Sequence, residues 1–418
     1  MTMQPGSWWW ITVPAGLVLA VLLRQPGMAL LDGSLWTGYH QDFPALYAAA
    51  QMIATGSGHD IYNMSAVAAA ELQAAGHPVG GSGALGYFNP PFFALLLVPM
   101  SSLPMARAFE LWIGLNIALL AVDLWMLWRL TARLPTLLRS ALALAFVTLY
   151  PVTYGLLIGQ FSMILVTSWM AAFLLIRSRH ERWAGLALAP LLIKPELLVP
   201  VVLILAFKRR WRVFTTLAPA AIALVAVSVA VVGPHAALAY PGYLLSSTKW
   251  QANGNAPNVM FNWVGMAAMF WGQPTLVPLA TVGVALLSLL TLGALLHAWR
   301  GEMEPESDRF AVQWYLLTAV AVLIDPHLYL QDTVLLALPA VALVAATPAR
   351  RRAAVVVALL GGWALLALGT YPNEHLKLNL FAPYLVIVSV ALAALWRTWL
   401  AAPALPVATP ALAGRDAA

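Results

Sequence analysis

Asp42 stands in the stretch Tyr39-His40-Gln41-Asp42-Phe43-Pro44-Ala45-Leu46-Tyr47, just past the first apolar segment of the chain. A carboxylate held at a water–lipid boundary can take a proton from a hydroxyl, which is general-base chemistry. The same residue could cap a helix starting near Phe43, with Pro44 at the first helical position. The two roles are compatible, because a cap fixes the side chain.

Other groupings could carry charge chemistry. Asp325-Pro326-His327-Leu328-Tyr329-Leu330-Gln331-Asp332 puts two acids, a histidine and a tyrosine between two apolar segments, a costly set if buried unpaired. Lys194-Pro195-Glu196 is a charged break inside a long apolar run. It reads as a Lys–Glu pair or a snorkelling lysine, or else as an intramembrane cation with phosphate as its natural partner. Gly86-Tyr87-Phe88-Asn89-Pro90-Pro91-Phe92 is an aromatic stretch with a rigid turn, and Gly159-Gln160-Phe161-Ser162 a polar step between apolar runs. Glu110 and Asp123 read as helix–helix pairing groups.

The elements that position these residues belong to a membrane protein. The chain has 418 residues, of which 62% are hydrophobic and 9% charged. Its mean hydropathy is +0.82. Apolar segments fall at 8–23, 89–103, 106–128, 139–158, 161–177, 183–207, 213–232, 274–298, 310–324, 332–347, 353–370 and 380–400. The expected fold is an all-α polytopic bundle with about 10–12 transmembrane segments, because only helices or closed barrels satisfy their backbone in lipid. One integral membrane domain, 1–400, then carries a first polar loop at 24–88, a second at 233–262 and a disordered cytoplasmic tail at 401–418. Within the first loop, 43–55 and 64–75 read as short amphipathic helices lying along the interface. The run from Trp8 to Leu23 reads as an uncleaved first span.

Charge sets the orientation. Arg129, Arg133 and Arg139, then Arg177, Arg179 and Arg182, then Lys208, Arg209, Arg210 and Arg212, then Arg300 and Arg309, and finally Arg350, Arg351 and Arg352 sit in short connections. The positive-inside rule places these in the cytoplasm and the polar loops 24–88, 233–262, 325–331 and 371–379 outside. Alternation of all twelve segments would put 129–139 and 177–182 on the wrong side. The charge rule instead requires that one segment within 89–128 does not cross and that 183–207 is a re-entrant hairpin turning at Ile193–Glu196.

Composition excludes other chemistry. There are no cysteines, so disulfides, thiolate metal sites and cysteine nucleophiles are ruled out. The net charge of +6 is explained by basic loops on one membrane face and implies no nucleic acid. No Walker-type loop, Gly-x-Ser-x-Gly or His-Glu-x-x-His occurs. The histidines are scattered and the acids form no cluster in sequence, so no metal and no cofactor is expected.

One base plus cations suits glycosyl transfer from a polyprenyl-phosphate sugar. The phosphate departs with its charge and needs positive or donor groups, which Lys194 and His327 could supply. The acceptor hydroxyl needs one base, which Asp42 could supply, whereas glycosidases need two carboxylates. Attack opposite the leaving phosphate inverts the anomeric centre. The lipid tail would lie between helices, and Trp36, Tyr39, Tyr47 and Tyr87 could stack on sugars.

At these residues the chain resembles glycosyltransferase family 87 of the GT-C superfamily. The resemblance rests on Asp42-Phe43 with Tyr47 and Gly56, Ile61-Tyr62, Tyr87-Phe88-Asn89-Pro90-Pro91, Gly159-Gln160, Lys194-Pro195 ahead of Lys208-Arg209-Arg210-Trp211-Arg212, and Asp325-Pro326-His327 ahead of Asp332. Ser162 departs from it, since asparagine is frequent after Gly-Gln. The resemblance implies an integral, mannosyltransferase-like enzyme using a polyprenyl-phosphate hexose, with Asp42 as base and His327 near the donor phosphate. Expected sugar and acceptor contacts are Tyr39, His40, Tyr47, Tyr87, Asn89, Gln160, Asp325, Tyr329 and Asp332. Expected partners are the lipid-linked donor, an exported lipid or glycan acceptor and the bilayer, with the site on the outer face of the inner (plasma) membrane. Two alternatives stand beside this reading. A polymerase or ligase of lipid-linked glycans would share the outer loops. A transporter or flippase would hold its polar groups nearer the midplane of the spans.

Overall fold

The computed structural model describes residues 42–79, 84–246, 257–271 and 278–401. The expected first span, Trp36, Tyr39 and His40, and the tail beyond 401 lie outside the described residues. Among those residues every regular element is helical.

Helix α1 (Phe43–Ala54) starts directly after Asp42, with Pro44 in its first turn, where a missing N–H costs nothing. Every residue from Phe43 through Ala50 is buried. The helix is therefore part of the core and does not lie along the interface. α2 (Met64–Ala75) buries only Val67 and Glu71 and keeps an exposed face. α3 (Pro91–Leu97) continues as a 3-10 turn to Met100. Its length of about 15 Å is half the hydrocarbon thickness, so it does not cross. α4 (Met105–Leu130), with 26 residues, does.

α5 (Thr136–Val147) and α6 (Tyr150–Leu157) form one bent crossing, and α7 (Ser162–Arg177) returns beside it. α8 (Glu181–Leu188) and α9 (Leu198–Phe207) flank the break at Lys194. α10 (Trp211–Ser246) is interrupted at Gly233, whose φ of 82° is open to glycine and strained for other residues. α11 (Trp263–Trp271), α12 (Pro278–Ala298) and α13 (Asp308–Ile324) follow. The 3-10 segment Leu330–Leu336 runs into α14 (Ala337–Ala346). α15 (Ala349–Ala367), the short α16 (Tyr371–His375) and α17 (Phe381–Ala401) complete the bundle. By length and composition, α4, the α5–α6 unit, α10 and α12 are each sufficient to cross a membrane.

The segment 181–207 doubles back on itself. Arg210 Nη1, just beyond its end, donates to Glu181 Oε1 at its start at 2.8 Å. Thr216 Oγ1 donates to Arg182 O at 2.6 Å. Both ends therefore lie on one face, and each arm runs roughly 20 Å from that face to the turn at Lys194. This is the fold-back that the distribution of basic residues requires. The same face gathers Lys208 on Gly301 O at 2.5 Å, Arg210 on Met303 O at 2.9 Å and Arg179 on Glu306 at 2.9 Å. Midway along the helices, Thr167 donates to Asp123 at 2.9 Å, while Glu110 pairs with Arg107 one turn away at 2.7 Å.

Candidate active site

Asp42 is the N-terminal flank of α1, but its side chain makes no capping hydrogen bond. Its Oδ2 instead accepts from Gln160 Nε2 at 2.5 Å, and its backbone N–H donates to Ile158 O at 3.1 Å. The turn between α6 and α7 thus holds both ends of the residue. Gly159 makes this approach possible. Its φ is +77°, and a Cβ there would lie 2.7 Å from Phe43 Cβ. Trp112 of α4 ties the same turn down by donating from Nε1 to Gly159 O at 2.8 Å. Burial is the main cause that raises the Asp42 carboxyl to about 6; Asp332 adds to the rise and Gln160 opposes it.

The second half of the site forms where the hairpin tip meets the α13–α14 connection. Lys194 Nζ donates to Asp332 Oδ2 at 2.7 Å and to His327 O at 3.0 Å. It also lies 3.1 Å from Asp325 Oδ2 in an ion-pair contact. These residues are 133 or more positions apart where they hydrogen-bond. Burial alone would depress the ammonium, but Asp325, Asp332 and Glu196 together outweigh it and hold Lys194 above its ordinary value.

The connection is built by its own acids. Asp325 Oδ1 accepts from His327 N at 2.8 Å, an Asx-type turn, and Asp332 Oδ2 accepts from Tyr329 N at 3.2 Å. Asn262 donates to Asp325 O, and Phe261 N donates to Leu328 O at 3.1 Å. Burial, then the Lys194 charge, lower His327 to about 4 against the pull of Asp332, so its ring is neutral near pH 7. Tyr329 lies within electrostatic range of Lys194, Asp42, Asp332 and Asp325, so it is near both halves.

The structure therefore brings Asp42, Gln160, Lys194, Asp325, His327, Tyr329 and Asp332 into one region. Asn89 borders it, with Nδ2 3.4 Å from Ile193 O. Tyr47 and Tyr87 are placed differently. Tyr87 is fully buried and donates to Pro90 O at 2.8 Å, and the buried Tyr47 donates to Leu103 O at 2.5 Å. With rings enclosed and hydroxyls committed to backbone, these two hold the fold and offer no stacking face to a sugar.

Two site residues were given no role of their own from the sequence. Asn262 ends the second polar loop, 233–262, but its contact with the Asp325 backbone is tertiary. Glu196 was visible as a neighbour of Lys194. A carboxylate oxygen of Glu196, one of Asp325 and a ring nitrogen of His327 lie within 4.8 Å of one another, a possible metal-ligand set.

Next to Asp332, Thr333 lines an apolar cavity with Phe146, Leu149, Leu336, Leu366 and Leu385. Its walls come from α5, α13, the 3-10 segment, α14, α15 and α17, with Leu149 between α5 and α6.

The model of glycosyltransferase family 87 matches residues 87–326, more than half of the chain. No curated protein and no solved structure matches it.

Proposed function

The chain belongs to glycosyltransferase family 87 and is a membrane glycosyltransferase, and from that premise we propose that it transfers a hexose from a polyprenyl-phosphate sugar to a lipid or glycan hydroxyl with inversion. The observation that carries this reading is the placement of Asp42. Its carboxylate is oriented by Gln160, raised towards neutral pH by burial, and lies within electrostatic range of Asp332 in the Lys194 cluster. A base with such a proton affinity is ionised at pH 7 yet still basic enough to receive a hydroxyl proton as the C–O bond forms.

The leaving phosphate would face the 325–332 connection. A neutral His327 serves it as a hydrogen-bond donor. Lys194 contributes its field and fixes the loop, since its contacts are already taken by Asp332, His327 O and Asp325. The donor tail would occupy the apolar cavity beside Thr333. The polar loops, opposite the basic face, would lie outside the inner membrane, where a mannose-like sugar would be added to an exported acceptor.

The test is transfer by the purified full chain from a radiolabelled polyprenyl-phosphate sugar to a membrane-lipid acceptor extract. Label should move in the wild type and not in Asp42→Asn. Equal transfer by Asp42→Asn would remove the base. Transfer from a nucleotide sugar alone would remove the donor class.

A further inference from the structure

We propose that Glu196, Asp325 and His327 form a binding site for a divalent cation of the Mn2+ or Zn2+ kind. Three ligand atoms within 4.8 Å of one another surround a point no more than about 2.8 Å from each. Shifts of at most about 0.8 Å would bring them to metal–ligand distances of about 2.0–2.2 Å. Two carboxylates with one imidazole suit Mn2+ or Zn2+ better than Mg2+, which favours oxygen and retained water.

A second observation points the same way. Glu196 Oε2 is closed off from solvent and has no hydrogen-bond partner. The neighbouring acids are already engaged: Asp332 by Lys194 and the Tyr329 N–H, and Asp325 Oδ1 by the His327 N–H. An enclosed carboxylate oxygen without a partner is costly, and a cation removes that cost.

Charge balance agrees. When ionised, as metal ligation requires of Glu196 and Asp325, Glu196, Asp325 and Asp332 would bring three negative charges to one ammonium, Lys194. One dication makes the cluster neutral. Lys194 occupies only one flank of Asp325, and a carboxylate has about four lone-pair sites, so it can bridge an ammonium and a metal. The ligands come from two segments 129 or more positions apart in sequence, so no spacing motif announces them, and the expectation of no metal changes once the fold is known.

The binding site does not rest on glycosyl transfer, but its use does: on that reading the ion supplies the leaving phosphate with the positive charge that Lys194 has already given to Asp332 and Asp325.

The test uses the full chain in detergent, stripped with a chelator, exchanged into chelator-free buffer and titrated with Mn2+ without sugar substrates. Free Mn2+ is followed by electron paramagnetic resonance. The wild type should show one saturable site per chain, and pulsed spectra should show imidazole nitrogen coupling. Glu196→Gln should weaken binding at least tenfold, and His327→Gln should also abolish the nitrogen coupling. Asp42→Asn should bind like the wild type. If Glu196→Gln fails to fold, His327→Gln and the wild-type nitrogen coupling still decide. Absence of a saturable wild-type site, absence of nitrogen coupling, or unchanged binding in folded Glu196→Gln or His327→Gln overturns the proposal. Because no sugar is present, failure here is distinct from failure of the transfer assay.

Discussion

Gln160 Nε2 donates to Asp42 Oδ2 at 2.5 Å across 118 positions of sequence. This bond joins the start of α1 to the turn between α6 and α7. It orients the carboxylate and also lowers its proton affinity against the larger effect of burial.

The rate should therefore follow Asp42 ionisation. With a carboxyl at about 6, kcat/KM should rise with pH and level off above roughly neutral pH. Gln160→Leu removes the bond that favours the ionised form, so its profile should shift to higher pH. A pH–rate series on both proteins checks this; a shift to lower pH would contradict it.

Asp42→Asn should lose activity and gain stability. The folded-state carboxyl lies near 6, above its ordinary 3.8. A raised value favours the protonated fold, so this stabilisation is present below 3.8 and lost as pH rises through 6. At pH 7 the ionised group costs up to about 3 kcal/mol, which an asparagine does not. Thermal unfolding in detergent should show the variant a few degrees above wild type at pH 7 and level with it at pH 4. Transfer should fall by roughly 100-fold or more.

Lys194→Met should destabilise strongly, by about 3–5 kcal/mol, because Asp325 and Asp332 are left as uncompensated buried charges. Adding Asp332→Asn should recover part of that loss. Unfolding midpoints of the single and double variants test the pair, and strictly additive losses would contradict the coupling.

Gly159→Ala changes no chemical group of the site, yet it should reduce transfer. The φ of +77° is strained for alanine, and its Cβ would meet Phe43 Cβ at 2.7 Å. Strain and displacement should cost about 1–3 kcal/mol and move Asp42 relative to Tyr329. A fall in kcat with little change in KM is expected from steady-state kinetics, together with a lowered unfolding midpoint.

Glu71→Ala should loosen the approach to Tyr87. Glu71 is buried and accepts from Leu85 N at 2.8 Å and Gly86 N at 3.0 Å. Losing both bonds leaves two backbone donors unsatisfied, a cost of about 1–3 kcal/mol each if they stay buried. Hydrogen exchange should quicken at Leu85 and Gly86 while exchange in α7 stays slow.

The sequence by itself determined the class of the fold. Low charge and repeated apolar runs leave helices as the structure for such a chain in lipid. The sequence left alternating spans and a re-entrant 183–207 both open, and the contact of Arg210 with Glu181 is what shows the fold-back. The sequence also marked Asp42, Lys194, Asp325, His327 and Asp332, because charge within so apolar a chain is expensive and therefore conspicuous. Tertiary structure decided what those residues face. Local pattern made Asp42 a natural helix cap, but in the fold its side chain makes no capping bond and accepts from Gln160 instead. Tyr47 and Tyr87 looked like sugar platforms until their burial was known, since composition does not distinguish an interfacial ring from an enclosed one. Glu196 had Lys194 as its natural partner in sequence, but the fold gives Lys194 to Asp332 and Asp325 and turns Glu196 towards His327. Long-range pairing of this kind depends on which loops meet at one end of the bundle, and no periodicity or spacing along the chain encodes that meeting.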